Sequence, residues 1–276
     1  MLLLVYLFRM FERDDYTRNI SISTSFDYSI PIGEQIQMIK SAGFSHVSIG
    51  GNYEHSGILD EGTPPVLKQL LTQNNLSVDT IHGYNLDKSD SIEINKKIVD
   101  VAVYLGAPVV VIHCSSFTFR SLQHKKIKKN VDKKLPAIER LAKESGIRFA
   151  VENVLPGVAT DLAESIIQNA NPEYIGFCYD SSHDQVGGPN PFVLVERLKD
   201  RLLTVHISDR IKEFVDHVLP GEGFIDFNSM CGILHSSPYR SPLLMEVMIT
   251  NSQYKNPVEF LNKAYQEATE LYDNIY

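Results

Sequence analysis

The feature that most constrains this chain is a regular alternation of short apolar runs with longer amphipathic segments. The apolar runs are about four to eight residues long and rich in Val, Ile and Phe, as in buried strands. Helical patterns of about ten to eighteen residues separate them, and another follows the last. Because buried strands that alternate with helices pair in parallel, the pattern predicts a parallel sheet covered by helices. The eight predicted strands span residues 20–26, 46–50, 77–82, 108–113, 147–153, 175–180, 202–208 and 243–249.

Eight strand–helix units in one chain of 276 residues favour a closed barrel over an open sheet. A (β/α)8 barrel typically uses about 250 residues. The alternative is a doubly wound open sheet, but its dinucleotide-binding form needs an early Gly-x-Gly-x-x-Gly motif that this sequence lacks. No linker, repeat or low-complexity tract divides the chain. The sequence therefore predicts the α/β class and a single-domain (β/α)8 TIM barrel over residues 19–276.

Residues with helix-capping chemistry mark several predicted helix boundaries. Asn190 and Asn256 each precede a proline, the arrangement of an N-cap followed by proline at the first helical position. Asp90 and Glu93 have the spacing of a capping box. Glycine is favoured just past the end of a helix, because it tolerates positive φ. Three glycines in such places, each shortly before a predicted strand, are Gly43, Gly106 and Gly146.

Composition limits the classes of partner. Hydrophobic residues make up 43% and charged residues 22%, which is typical of a globular protein. The net charge of −8 argues against nucleic acid, because phosphate binding usually requires a basic surface. The cysteines Cys114, Cys178 and Cys231 form no Cys-x-x-Cys pair, which predicts free thiols and a reducing, cytoplasmic location. Cys114 and Cys178 lie in apolar runs and are predicted to be small core residues.

Residues 1–18 are predicted to form an N-terminal extension outside the barrel. Its first eight residues, MLLLVYLF, are apolar but too short to span a bilayer. They also lack the basic region and the small-residue cleavage site of a signal peptide. We interpret them as a short extra strand or as the product of a misplaced start codon, with Met10 as the natural start. No other stretch approaches transmembrane length, so no membrane partner is predicted.

Ionisable side chains sit near the carboxyl ends of six consecutive predicted strands. In a (β/α)8 barrel these ends meet at the mouth where active sites lie. A lone histidine at a strand end is more often a hydrogen-bonded core residue, so His82 and His113 remain open between that role and ligand binding. The six side chains are His82, His113, Glu152, Asp180, His206 and Glu246.

The energetic cost of buried carboxylates points to a cation at this mouth. Glu152 and Glu246 interrupt apolar strands, and an uncompensated carboxylate there costs several kcal/mol or becomes protonated. One divalent cation would compensate several such groups at once. Two Glu, one Asp and one His suit Mn²⁺, Mg²⁺, Co²⁺ or Zn²⁺, and the geometry of the site would choose among them.

Two loops add further histidines to the same end of the predicted barrel. His183 follows Asp180 by three residues, just beyond the sixth predicted strand. His217 precedes the turn Pro220-Gly221-Glu222-Gly223 after the seventh. The turn is compatible with a purely structural role, but the histidine beside it favours a functional loop.

The order of these motifs resembles the xylose isomerase-like barrel superfamily. Its members include sugar-phosphate isomerases and epimerases, ketose 3-epimerases, inosose dehydratases and apurinic endonucleases of the endonuclease IV type. The resemblance extends from about residue 20 to residue 272. The motifs that carry it are Glu152-Asn153, Asp180-x-x-His183, His206-x-x-Asp209, His217-x-x-Pro220-Gly221-Glu222-Gly223 and Glu246.

The resemblance implies a divalent metal held by Glu152, Asp180, His206 and Glu246. It also implies that Glu152 and Glu246 act as a general acid/base pair on opposite sides of a sugar substrate. They would remove a proton next to a carbonyl and return it through an enediolate that the metal stabilises. His183 would contact substrate hydroxyls. The implied function is a sugar or sugar-phosphate isomerase or epimerase with a small carbohydrate substrate. The resemblance is compatible with a homo-oligomer and does not fix the number of subunits.

Two other members of the superfamily supply alternative functions. In the endonuclease IV type, the matches of His82, His113, His183 and His217 bind additional zinc ions, and all four are histidines here. That type also has an aspartate two residues before the match of His217, where this chain has Val215. A basic run at residues 124–134 could meet a phosphate, but its spacing favours a solvated helix face. An inosose dehydratase-like polyol dehydratase is the other alternative.

Overall fold

The computed structural model of the protein describes residues 18–115, 123–187 and 189–276. The predicted N-terminal extension falls almost entirely outside these ranges, so its interpretation as a strand or a misplaced start stays a prediction. Within the described ranges, no helix combines the length and apolar character needed to cross a membrane. The three cysteines are all buried and unpaired.

Eight parallel strands close into a barrel in sequence order, with β1 paired to both β2 and β8. This confirms the predicted fold class and the (β/α)8 architecture. Each predicted strand is present, although most are shorter than the apolar run that predicted them. The strands are β1 (Ile20–Ser23), β2 (His46–Ile49), β3 (Ser77–His82), β4 (Val109–Ile112), β5 (Arg148–Glu152), β6 (Ile175–Asp180), β7 (Leu202–Ile207) and β8 (Leu243–Met245).

Helices follow the strands and cover the outside of the barrel. Two short 3₁₀ helices, Thr24–Phe26 and Lys199–Arg201, lie just after β1 and just before β7. In the described ranges the α-helices are α1 (Ile32–Ala42), α2 (Tyr53–Ser56), α3 (Thr63–Gln73), α4 (Ser91–Leu105), α5 (His124–Asp132), α6 (Leu135–Ser145), α7 (Val158–Asn169), α8 (Val193–Leu198), α9 (Phe227–His235) and α10 (Pro257–Ile275).

The ends of β1 and β8 are where the structure departs most from the predicted strands. After Ser23 the chain turns into a 3₁₀ helix, because the Ser23 hydroxyl accepts a hydrogen bond from the Ser25 amide. Residues 246–249 lie beyond β8, so Glu246 follows the strand instead of interrupting it. Apolar residues continue beyond both strands, because residues 24–26 and the alternate residues Val247 and Ile249 are buried. Burial of a residue does not show whether its backbone still pairs with a neighbouring strand.

The barrel separates a large outer core from a small inner one. The outer core lies between the strands and helices, while the inner cluster comprises Val109, Val111, Ala150, Cys178 and Leu203. Alternate residues of a strand share a face. Glu152 and Asp180 therefore share the inward face of Ala150 and Cys178, one step nearer the carboxyl end. The site is thus built on the interior of the barrel at the end where active sites lie.

Candidate active site

A cavity of about 500 Å³ opens at the carboxyl ends of the strands. Its volume is in the range of small-molecule sites. Asp180 and His206 do not line it, but their ligand atoms lie close to those of Glu152 and Glu246. Six of the eight predicted site residues line the cavity: His82, His113, Glu152, His183, His217 and Glu246.

Four side chains meet in one cluster, with one ligand atom from each within 4.8 Å of the others: Glu152, Asp180, His206 and Glu246. His206 Nδ1 lies 2.6 Å from Glu246 Oε2 and 3.4 Å from Glu152 Oε2. Glu152, Asp180 and His206 are at most 2% exposed. These residues come from four neighbouring strand ends, β5 to β8, which the closed barrel brings together.

Asp180 is oriented by its neighbours so that one oxygen remains for the cluster. Its Oδ1 accepts hydrogen bonds from the Ser182 amide (2.7 Å), the Ser182 hydroxyl (2.9 Å) and the His183 amide (3.0 Å). The Asn153 side chain holds the Asp180 backbone from the next strand through two hydrogen bonds of 2.8 and 2.9 Å. Oδ2 is buried and accepts no hydrogen bond from the described residues. A buried carboxylate oxygen without a donor is costly, and a cation would satisfy it.

The donor set fits a divalent metal. Three carboxylates and one imidazole can supply oxygen and nitrogen ligands of the kind that Mn²⁺, Zn²⁺, Co²⁺ and Mg²⁺ accept. The unsatisfied Asp180 oxygen lies among these donors. The residues present therefore fit the cation that the sequence predicted, without selecting one metal.

Additional histidines surround the Glu152 carboxylate. Its Oε2 lies 3.1 Å from His113 Nε2 and 3.4 Å from His82 Nε2, and its Oε1 lies 3.3 Å from His183 Nδ1. Three further groups have ligand atoms within 4.8 Å of one another, and two of them add histidines: His82 with His113 and Glu152, and Asp180 with His183 and His217. All eight predicted site residues are therefore gathered at one end of the barrel.

Charge compensation outweighs burial at the two glutamates. Burial by itself would raise the pKa of Glu152, but His113 and His206 hold that pKa well below its usual range. At Glu246, burial is likewise outweighed by His206, and the pKa is lowered to about 2. Both carboxylates are therefore ionised at neutral pH, the form that can bind a cation or accept a proton.

The histidines respond in different directions to the same surroundings. Burial opposes protonation of His206, but Cys178, Glu246 and Glu152 raise its pKa well above the usual value. The pKa of His183 rises to about 9 because Asp180 and Glu152 overcome the effect of burial. Burial lowers the pKa of His113. Protons on His206 and His183 compete with a metal, which requires neutral imidazole nitrogen.

Asp209 organises the loop that carries His217. Its carboxylate accepts hydrogen bonds from the amides of Gly221 (3.0 Å), Gly223 (2.9 Å) and Ile225 (3.0 Å). A Cβ on Gly223 would collide with the Arg210 carbonyl and the Asp209 carboxylate, so the loop requires glycine there. The aspartate of the His-x-x-Asp motif therefore holds this loop through backbone amides. Sequence reasoning noted the residue without this role.

Glu222 joins the same loop to the segment after β8. Its Oε2 accepts a hydrogen bond from the Leu219 amide, and its Oε1 accepts one each from the Ser252 hydroxyl and the Gln253 amide. His217 adopts a positive φ of 45°, which is uncommon for a residue with a side chain. Its Nδ1 lies 3.0 Å from the Ser208 hydroxyl. The Pro-Gly-Glu-Gly turn therefore fixes, through the hydrogen bonds of Glu222, the loop that carries His217.

Asp216 does not take the place of the aspartate that the endonuclease type has two residues before its histidine. Asp216 Oδ2 accepts hydrogen bonds from the amides of Ile211, Lys212 and Glu213 at 2.7–3.0 Å. Val215, which stands at the expected position, is 48% exposed. The group of Asp180, His183 and His217 therefore lacks that carboxylate.

Sequence reasoning missed an aromatic wall of the cavity. Tyr28, Tyr53, Tyr84 and Met248 line it together with the ionisable residues. The Tyr53 hydroxyl donates to the His82 carbonyl, and the ring centroids of Tyr53 and Tyr84 lie 6.4 Å apart. Tyr28 and Tyr84 lie in the segments after β1 and β3, and Tyr53 is the first residue of α2, after β2. Only their position shortly after a predicted strand could have identified them.

Cys178 also lies closer to the site than its predicted core role suggested. Its sulfur lies within 4.8 Å of ligand atoms of Glu152 and His206. Burial raises the pKa of its thiol. Cys178 precedes Asp180 by two residues, so both side chains lie on the same inward face of β6. This spacing could have predicted from the sequence that Cys178 lies near the site.

Comparisons with known proteins agree with this architecture. Residues 36–264 match the family described as xylose isomerase-like TIM barrel. An inosose dehydratase of Bacillus cereus is 24% identical over 257 residues, 81% of this chain and 84% of that protein. The crystal structure of the IOLI protein with a bound zinc atom superposes with a TM-score of 0.77 at 18% identity, covering 94% of this chain and 99% of that one. A D-allulose 3-epimerase from Methylomonas in complex with D-allulose gives a TM-score of 0.72 at 18% identity, with coverage of 92% and 97%.

Proposed function

The chain belongs to the family of xylose isomerase-like TIM barrels, and on that basis we propose that it is a metal-dependent isomerase or epimerase of a small sugar. The observation that carries the proposal is the convergence of two glutamates that line the cavity on one four-residue cluster, in which Glu152, Asp180 and His206 are buried. Glu152 and Glu246 line that cavity, so both carboxylates can reach a bound substrate. Its aromatic wall offers an apolar surface to the carbon-bound hydrogens of a sugar.

Glu152 and Glu246 are proposed to exchange the substrate proton. One carboxylate removes a proton from the carbon next to a carbonyl. Return of that proton to the neighbouring carbon by the same carboxylate, with a proton passed between the two oxygens through solvent, gives the isomer. Delivery to the opposite face by the other carboxylate, after it has taken a proton from solvent, gives the epimer. Their lowered pKa values keep them ionised before substrate binds. His183 and His217, which line the cavity, are proposed to hold substrate hydroxyls.

Glu152, Asp180, His206 and Glu246 are proposed to bind the divalent metal. When bound, such an ion acts as a Lewis acid that polarises a carbonyl oxygen. The proposed partner is a small-molecule carbohydrate. The three unpaired cysteines support a reducing compartment such as the cytoplasm.

Solvent isotope exchange tests this proposal. Metal-loaded protein is incubated with a panel of ketoses, sugar phosphates and ketose-containing disaccharides in deuterated water, and products are analysed by NMR. Proton transfer through an enzyme base predicts deuterium at the carbon next to the carbonyl. Product formation without solvent label would indicate a hydride shift and contradict the two-glutamate mechanism. Absence of any turnover across the panel would contradict the sugar isomerase proposal itself.

Phosphodiester hydrolysis is a second candidate, favoured by the two groups that bring His82, His113, His183 and His217 beside Glu152 or Asp180. It would require two or three zinc ions per chain and binding to damaged DNA. Asp216 is committed to backbone amides, and the chain carries a net charge of −8, so this candidate has less support. Metal analysis and an abasic-DNA cleavage assay at increasing salt distinguish it, because DNA affinity should fall steeply with salt.

Dehydration of a polyol ketone is a third candidate, favoured by the similarity to inosose dehydratases. Dehydration would begin, like isomerisation, with removal of the proton next to the carbonyl. The hydroxyl on the next carbon would then leave as water, and no proton would return to the substrate carbon. Mass spectrometry separates the two reactions, because an isomerase product keeps the substrate mass and a dehydratase product has lost one water.

A further inference from the structure

A second cavity adjoins the active-site cavity at the same end of the barrel. It has a volume of about 300 Å³ and lies between the first turns of α7 and the segment that joins β6 to α8. His183 lines both cavities. Resting on the proposed function, we infer that the second cavity is a subsite for one uncharged sugar ring attached to the reacting sugar. The substrate is then a glycoside or disaccharide and not a free monosaccharide.

The polar side chains of this second cavity suit sugar hydroxyls. Asp161, Gln185 and Asn190 line it and are exposed. Within the described residues, none of these three side chains is engaged in a hydrogen bond. A side-chain amide can donate and accept at once, and a carboxylate accepts from two donors. This combination matches neighbouring hydroxyls on a sugar ring, each of which both donates and accepts.

The charge of the second cavity argues against an anionic group. The cation on its lining, Arg197, makes a bidentate ion pair with Glu164, with N···O distances of 2.7 and 2.8 Å. Asp161 lies in the first turn of α7, where it already interacts with the positive end of that helix. A phosphate would therefore find no free cation among the described residues here. An uncharged sugar ring suits a lining in which the guanidinium of Arg197 is already paired with Glu164.

His183 lies between Glu152, where the proposed reaction takes place, and the second cavity. It is 2% exposed, and its Nδ1 lies 3.1 Å from the Asn153 carbonyl and 3.3 Å from Glu152 Oε1. One imidazole ring therefore separates the Glu152 carboxylate from the second cavity. A substrate with its carbonyl carbon beside Glu152 would reach past His183 with the sugar ring linked to it.

Saturation-transfer NMR on the full-length, zinc-loaded protein tests the inference. The probes are lactulose, turanose and isomaltulose, three disaccharides that each contain a ketose unit. We expect at least one to receive saturation on both rings. Gln185→Ala and Asn190→Ala should reduce transfer to the non-ketose ring severalfold and leave the ketose ring unchanged. Gln253→Ala, an exposed amide at the same barrel end outside the cavity, serves as the matched control and should change neither ring.

Three outcomes would overturn the subsite: binding of none of the disaccharides, contact with the ketose ring alone, or equal transfer in wild type and both cavity variants. Failure of the proposed function is a separate result, seen as absence of turnover of every ketose, sugar phosphate and disaccharide by the wild-type protein. The NMR contact pattern does not depend on turnover, so the two failures are distinguishable.

Discussion

At the residue scale, the site is governed by how buried charges are compensated. Glu152 has imidazole nitrogens of His82, His113 and His206 within 3.4 Å of one oxygen. Without these rings a carboxylate so deeply buried would be protonated. The same rings would have to release protons when a metal binds, so cation and protons compete for one set of side chains.

Replacing either proposed acid/base glutamate should reduce turnover while leaving the fold intact. Glu246→Gln keeps the size and one oxygen but removes the basic carboxylate. Turnover should fall by about 10²–10⁴-fold, the usual effect of losing one acid/base group, and Glu152→Gln should behave similarly. Metal binding should weaken only moderately, because three ligands remain.

Steady-state kinetics on the substrate found in the isotope screen, with metal titration by calorimetry, checks this prediction. The exposed Glu144 on α6 provides the matched control, and Glu144→Gln should retain full activity. Full activity in both active-site variants would exclude their role in proton transfer.

Asp79 on β3 should make the stability of the protein depend on pH. Burial raises its pKa from 3.8 to about 6, although its Oδ1 accepts a hydrogen bond from the Thr80 amide. The folded state therefore binds more protons than the unfolded state between about pH 4 and pH 6, and stability from this group falls as pH rises through that window. Asp79→Asn removes this loss. The free energy of unfolding of the variant, measured relative to wild type, should therefore be on the order of 3 kcal/mol higher at pH 8 than at pH 4.

Urea unfolding of wild type and variant at pH 4, 6 and 8 measures this difference. Asp100→Asn, at an exposed position on α4, is the matched control for loss of one aspartate. An equal effect of Asp79→Asn at all three pH values would show that Asp79 does not titrate in this range.

At the element scale, the loops after the strands hold the site together through backbone contacts. The Asn153 side chain pairs with the Asp180 backbone, which links the ends of β5 and β6. Asp209 and Glu222 hold the loop after β7 and connect it to the segment after β8. The segments after β5 and β6, and those after β7 and β8, are thus joined in pairs by hydrogen bonds.

Gly223→Ala should disturb this bracing. A Cβ there would collide with the Arg210 carbonyl and the Asp209 carboxylate, so the loop must shift. Overpacking of this kind typically costs about 1–3 kcal/mol, and displacement of His217 should lower turnover as well.

Thermal unfolding and activity of the variant check this effect. Gly232→Ala is the matched control, because a Cβ at that position in α9 meets open space. It should leave activity unchanged and raise stability by up to about 1 kcal/mol through helix propensity. Equal behaviour of the two variants would show that the loop tolerates a side chain at position 223.

At the scale of the whole molecule, metal binding and folding should be linked. The four-residue cluster comes from strands β5 to β8 and forms only when the barrel closes. A cation that binds only the folded state stabilises it by mass action, about 2.7 kcal/mol at a free concentration 100 times the dissociation constant.

Thermal unfolding with and without Mn²⁺ or Zn²⁺, after removal of bound metal by a chelator, measures the linkage. Asp180→Asn should reduce the metal-dependent rise in Tm, because one of the four ligands is weakened and three remain, whereas the exposed Asp200→Asn should keep the full rise. Elemental analysis should give about one metal per chain. Two or three zinc ions per chain would instead favour phosphodiester hydrolysis.

Helix boundaries show how far local sequence rules reach in this protein. Gly43, Gly106 and Gly146 end their helices with positive φ, and Asn256 caps α10 through its side chain, as predicted. The Asn190-Pro191 prediction was wrong, because α8 begins at Val193 with Phe192 as its N-cap. Asp90 precedes α4 but makes no capping hydrogen bond. A residue type can mark a boundary, but the contacts around it decide whether it caps.

The sequence by itself determined the order of strands and helices, the closed-barrel class and the barrel end at which eight ionisable side chains gather. These follow from periodicity, because spacing along a strand decides which face and which end a residue occupies. Only the tertiary structure decided which side chains meet: the four-residue cluster, the bracing by Asp209 and Glu222, the tyrosine wall and the cavity beyond His183. Distances between residues on different strands depend on barrel closure and on loop hydrogen bonds. Neither is encoded in the local pattern of any one segment.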